Sequence, residues 1–171
     1  MSNRAEAFFP ALSVGKLKTE LPALQEKFAR TKALEVEPNA HGIYAASSSQ
    51  SPDSKTGYQN AWLRDNAMVA YSKWVRGDAE SALNTAQGLG KFLHTQIGRM
   101  EAILRRPTKK QNVQARPHVR FDAETLRELE QDWSHAQNDA LGYAVWLRLR
   151  LANEEGCKLS KEERELYGTI T

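Results

Sequence analysis

Only one cysteine, Cys157, occurs in the 171 residues, which excludes an internal disulfide framework and fits a reducing compartment. Its place near the end of a predicted helix marks an ordinary thiol rather than a nucleophile. No stretch approaches the ~20 apolar residues needed to cross a bilayer, and no N-terminal segment joins a basic head to an apolar run of secretory length. A cytoplasmic protein without membrane contact is therefore expected. An excess of one charge is missing too: 24 Lys and Arg against 21 Asp and Glu leave +3, too balanced to imply nucleic acid. The four histidines, His41, His94, His118 and His135, are scattered, with no helical i, i+4 pair and no partnering cysteines, so no metal is expected. Gly88-Leu89-Gly90-Lys91 lies inside a predicted helix and lacks the spacing of a phosphate loop, and no cofactor is expected.

What remains is a globular composition, long enough for one ordinary domain, with strong helical periodicity. Residues 1–19, with Phe8 and Phe9 before Pro10, read as an N-terminal arm, and residues 20–171 as the domain. A first helix is predicted from about Glu20 to Leu34, with Leu21, Leu24 and Phe28 on one face and Pro22 tolerated in the first turn. A short strand is predicted near Gly42-Ala46, followed by a polar loop from Ser47 to Gly57.

A second helix should run from about Asp65 to Arg76 and stop at Gly77. Asp78 should then cap one long helix carrying Ala82, Ala86, Leu89, Leu93, Ile97, Met100 and Leu104, ended by Pro107. So short a connection implies an antiparallel hairpin. Arg105 to Arg120 holds six Lys or Arg, one His and no acid, and reads as a solvated loop without aromatic residues for base stacking. Asp122 to Asp132 is called helical by propensity. A fourth clear helix spans about Asn138 to Glu155, closed by Gly156, with Leu141, Val145, Leu149 and Ala152 on one apolar face and Ala144, Leu147 and Leu151 on a second. Two apolar faces imply burial between neighbours. Ser160 with Glu163 forms a capping box that opens another helix.

The chemistry concentrates in Tyr58-Gln-Asn-Ala-Trp62-Leu-Arg64-Asp65 and in Trp133-Ser-His135-Ala-Gln137-Asn138-Asp139. Each sets a flat aromatic surface beside hydrogen-bonding and charged groups, the equipment needed to hold a sugar ring. Arg64 beside Asp65 offers a fork of donors and several acceptor sites to a ring of hydroxyls. The alternative is a surface ion pair between the two, with Asp65 capping the following helix. Glu124, Glu128, Glu130 and Asp132 contain no pair marked out as acid and base, since a charged run is usually a solvated face.

Taken with Arg120-Phe121-Asp122, these two motifs resemble the glucoamylase-like glycoside hydrolases of family 15 and the related domains of the alpha and beta subunits of phosphorylase kinase. In the hydrolases the second motif reads Trp-Gly-Arg-Pro-Gln-Asn-Asp-Gly. Here Ser134-His135-Ala136 replaces Gly-Arg-Pro and Ala140 replaces the final Gly, which is closer to the kinase-subunit branch.

The resemblance implies an all-α fold, part of an (α/α)6 barrel of helical hairpins with the ligand site at one end. It implies that Arg64 and Asp65 grip the terminal glucose of an α-glucan or maltooligosaccharide, that Trp62 and Trp133 line the pocket, and that Gln137 and Asp139 support it. It also implies that Asp122 to Asp132 is an irregular segment delivering Trp133. The reaction expected of an intact enzyme is release of glucose from non-reducing ends with inversion, which needs two carboxyl groups on opposite sides of the bond. The resemblance puts both beyond Thr171, so the chain is expected to be the N-terminal part of a larger protein, without catalytic residues of its own. The rival expectation is a non-catalytic domain that senses carbohydrate or regulates a partner enzyme.

Overall fold

The computed structural model describes residues 37–46, 60–107, 112–130, 133 and 135–171, with Ala23 and Glu26. The chain divides into two units, Met1–Glu37 and Pro38–Thr171. Of the first, Ala23 and Glu26 are helical; the expected arm and the rest of the expected Glu20–Leu34 helix lie outside the described residues, as does the Ser47–Gly57 loop.

The second unit is built on helices, with one minimal two-stranded ribbon among its described residues, in keeping with the all-α expectation. Strand β1 (Ala61–Trp62) leads directly into α1 (Leu63–Val75), and α2 covers Ala79–Thr95, α3 Ile97–Arg105, α4 Asn138–Glu154 and α5 Lys161–Ile170. Strand β2 (Arg120–Phe121) pairs antiparallel with β1, Ala61 opposite Phe121 and Trp62 opposite Arg120. Helix α1 packs on both α2 and α4, and α5 packs on α2, α3 and α4. Leu63, Ala67, Ala86, Leu89, Phe92, Leu93, Phe121, Leu147, Leu151 and Leu166 fill the space between them, with Phe92 and Phe121 stacked at 4.0 Å. No helix among the described residues is long and apolar enough to cross a membrane.

The stop signals act as the sequence indicates. Gly77 and Gly156 follow α1 and α4 with φ of +89° and +66°, a region open to glycine at no steric cost. Asp78 caps α2 by accepting from the Ser81 N–H at 3.1 Å. At the head of α5, Ser160 Oγ accepts from Glu163 N at 3.1 Å while the Glu163 carboxylate accepts from Ser160 N at 2.8 Å.

Arg105–Arg120 is not solvated throughout: Pro117, His118, Val119 and Arg120 are buried, and Arg120 lies in β2. Three further expectations about the elements are overturned. The long helix after Asp78 is two helices, because Gln96 leaves the α-helical path: its N–H turns back to Leu93 O at 2.9 Å, and its side chain is committed sideways to Glu128 and to the His118 N–H. The described part of the Asp122–Asp132 segment, residues 122–130, is irregular, as the resemblance and not propensity implied. Asp122 Oδ1 takes the Thr125 and Glu124 N–H groups that a helix would need, and Leu126 sits at φ +53°.

Gly42-Ala46 is not a strand. Asn66, 1% exposed, replaces a sheet partner by accepting from Tyr44 N at 2.8 Å and donating to Tyr44 O at 2.9 Å. The same segment presses on α2 closely enough that a Cβ at Gly88 would meet His41 O at 2.3 Å and Ile43 Cδ1 at 3.0 Å. Gly88 is thus a packing glycine. Gly88→Ala should destabilise by roughly 1–3 kcal/mol in urea unfolding even though alanine favours a helix interior by about 1 kcal/mol. A stabilised variant would show that the segment can move away.

One face of α4 is left open. Ala144, Leu147 and Leu151 are buried, whereas Leu149 is 41% and Trp146 40% exposed. Tyr71 of α1 lies 5.2 Å from the Trp146 ring, extending the same surface.

Candidate functional site

The two motifs converge although about seventy residues separate them in the chain. Trp62 is placed by the ribbon and by the start of α1; Trp133 lies in no helix or strand, and its carbonyl accepts from Gln114 Nε2 at 2.9 Å. Their rings meet edge to face, centroids 5.1 Å apart and planes at 85°. Across β1, the guanidinium of Arg120 lies 4.5 Å from the Trp133 centroid and 5.6 Å from that of Trp62.

One turn away, Arg64 Nη1 donates to Asp139 Oδ2 at 2.9 Å, tying the first turn of α1 to the first turn of α4. Both side chains are about half exposed, 47% and 50%, so the bond itself contributes little to stability, on the order of 0–1 kcal/mol. It leaves the other guanidinium N–H groups facing solvent. The ion pair between Arg64 and Asp65 contemplated from the sequence does not form, and Asp65 is not the cap: Trp62 occupies the N-cap position, and Asp65 lies in the first turn, exposed, with no ion-pair partner among the described residues. A carboxylate there favours the helix N-terminus. Gln137, half-buried, is the N-cap residue of α4 and makes no side-chain capping bond. Trp62, Arg64, Trp133 and Asp139 are thus joined in two contacts, while Asp65 and Gln137 occupy the adjoining helix starts.

A model of the family described as glycosyl hydrolases family 15 matches residues 19–166. The chain belongs to that family. It is also 26% identical over 153 residues to the "Uncharacterized lipoprotein YgeQ" of Escherichia coli (strain K12). That match covers 80% of this chain and 58% of that protein, so the chain spans little more than half the length of its curated relative. No solved structure gives a significant match.

Beneath the tryptophans, this family 15 chain buries a polar layer that the scattered histidines gave no sign of. His118 and His135 stack at 3.7 Å with planes 15° apart, and both are 3% exposed. His135 Nδ1 accepts from Val119 N at 3.2 Å, which places the neutral ring's single proton on Nε2. Among the described residues that Nε2, like the Trp133 indole N–H, is buried without a hydrogen-bond partner. Burial pushes the His135 imidazole down to about 4, with the charges of His118, Arg120 and Arg99 acting the same way.

Glu128 closes the layer. Arg99 grips it with two bonds of 2.6 and 2.5 Å, and Gln96 Nε2 donates at 3.0 Å. The Arg99 bonds hold its carboxyl down to about 2, so at neutral pH it is a fixed anion and not a general acid. Among the described residues no group of three or more His, Cys, Asp or Glu is arranged to hold a metal.

Sequence reasoning passed over Arg120, His118 and Gln96. Arg120 carried a signal, the Arg120-Phe121-Asp122 triplet of the resemblance; nothing in the spacing marked the other two. One recess of about 410 Å³ lies between α2 and the start of α5, near Lys91 and Glu162, and another of about 570 Å³ lies beside Leu104, Leu141 and Leu149 and reaches Asn138 at the start of α4.

Proposed function

We propose that Trp62, Arg64, Asp65, Trp133, Gln137 and Asp139 hold the terminal glucose of an α-linked glucan in a protein that releases glucose from non-reducing ends by single displacement, without a cofactor. Supporting this reading above all is the convergence of the two motifs through the Trp62–Trp133 contact and the Arg64–Asp139 bond. Indole faces beside a half-exposed guanidinium and carboxylate suit a ring that has apolar faces and hydroxyl edges. In this reading the general acid and base come from segments other than these 171 residues, and the cytoplasmic setting rests on the single cysteine, the word lipoprotein in the relative's name standing against it.

A second reading, a carbohydrate-sensing domain that regulates a partner enzyme, is favoured by one observation. Where the hydrolase motif has arginine, this chain has His135, buried and stacked on His118.

Calorimetric titration with maltose tests the site. Arg64→Ala and Asp65→Ala each remove a polar partner from the bound sugar, worth roughly 1–3 kcal/mol, so affinity should fall by about fivefold to a hundredfold or more. Unchanged affinity in folded variants would return Arg64 to a surface ion pair with Asp139. Glucose release by the same preparation would place the acid and base within these residues.

A further inference from the structure

We propose that Arg120 is a positioning residue: its guanidinium, set against both indoles, fixes the spacing and tilt of Trp62 and Trp133. In so doing it sets the shape of the aromatic surface, and the consequence for sugar binding rests on the proposed glucan-binding role. Arg120 is 5% exposed, and its backbone is held in β2 directly across from Trp62, so the cation has a fixed origin. Trp133 has no such origin. It lies in no helix or strand, and its ring is placed by what it touches: the Trp62 ring, the Arg120 guanidinium and, through its carbonyl, Gln114.

A desolvated guanidinium gains from lying over an aromatic face, and the gain grows as water is excluded. The cation lies closer to Trp133, the ring that no helix or strand anchors, than to Trp62. Removing the cation should let Trp133 relax, whereas a lysine would supply charge without the flat fork. The same cation also helps keep His135 neutral. Its loss should raise the His135 titration point, and lysine should not.

Nuclear magnetic resonance on the full chain tests this with Arg120→Met and Arg120→Lys, the two indole N–H signals being assigned through Trp62→Phe and Trp133→Phe. In Arg120→Met the Trp133 signal should move toward its position in Trp62→Phe, His135 should titrate higher, and affinity for maltose should fall about tenfold. Arg120→Lys should move the Trp133 signal part of the way and leave the His135 titration near wild type. If either folded variant keeps the wild-type Trp133 signal, the proposal is overturned; if Arg120→Met does not fold, Arg120→Lys decides alone. Variants that show the signal changes, in a protein whose wild type binds no maltose, would sink the sugar reading and leave the positioning role standing.

Discussion

Replacing Glu163 with alanine is expected to remove about 3–5 kcal/mol, a large part of the ~5–15 kcal/mol that holds a domain of this size together. The reason lies in what stays behind. Arg148, in the middle of α4, is 2% exposed, and its guanidinium is satisfied by Glu163 at 2.7 and 2.9 Å and by the carbonyls of Cys157 and Lys158 at 3.3 and 3.1 Å. Glu163→Ala leaves that charge buried with neutral partners only, and also removes half of the capping box at the head of α5. Arg148→Met should cost less, because the carboxylate it abandons keeps the Ser160 N–H and some access to water. The double variant Arg148→Met with Glu163→Leu should recover much of the loss, since an apolar pair of similar volume often does as well as a buried ion pair. Urea unfolding of the three variants reads this out. A Glu163→Ala chain within ~1 kcal/mol of wild type would mean that water reaches Arg148, and the pair would then rank with surface bridges.

The boundaries of α1, α4 and α5 were legible because each is set by local chemistry: glycine at Gly77 and Gly156, a capping box at Ser160. Elements decided by distant partners were not. Gln96 is a good helix former whose side chain is taken by Glu128 and His118, and the helix breaks there. The apolar run at Ile43 and Tyr44 reads as a strand, but Asn66 meets its backbone groups with one amide side chain.

In the candidate site the motifs gave the types of the aromatic and charged residues but not their pairing. Spacing put Arg64 beside Asp65, whereas neighbouring positions on a helix point in different directions, and Arg64 reaches Asp139 instead. Arg148 illustrates the same limit. A charge in the middle of an apolar pattern reads as solvent-facing until a partner fifteen residues on is brought against it.

The second large effect is an acid loss of stability in two stages. His135, held near 4 against 6.5 for a free imidazole, takes up its proton in the unfolded chain first as the pH falls, so folding weakens from about pH 6.5 downward and this slope ends below about pH 4. His118, also lowered by burial, acts in the same direction. Glu128, held near 2 against 4.5 by its Arg99 bonds, is likewise protonated first in the unfolded chain, and its contribution disappears between those two values. Asp122, lowered by its Thr125 bonds, adds to this second stage. Urea midpoints measured across the acid range should therefore fall steadily from near neutrality. His135→Asn should flatten the upper part of the curve and leave the lower. Glu128→Gln should lower stability at neutral pH, where Arg99 loses its anion, and make the lower part shallower. A wild-type midpoint that holds constant from about pH 6.5 to pH 4 would show that the unfolded chain gains no proton over the folded one there, and the neutral, buried His118–His135 stack would have to be given up.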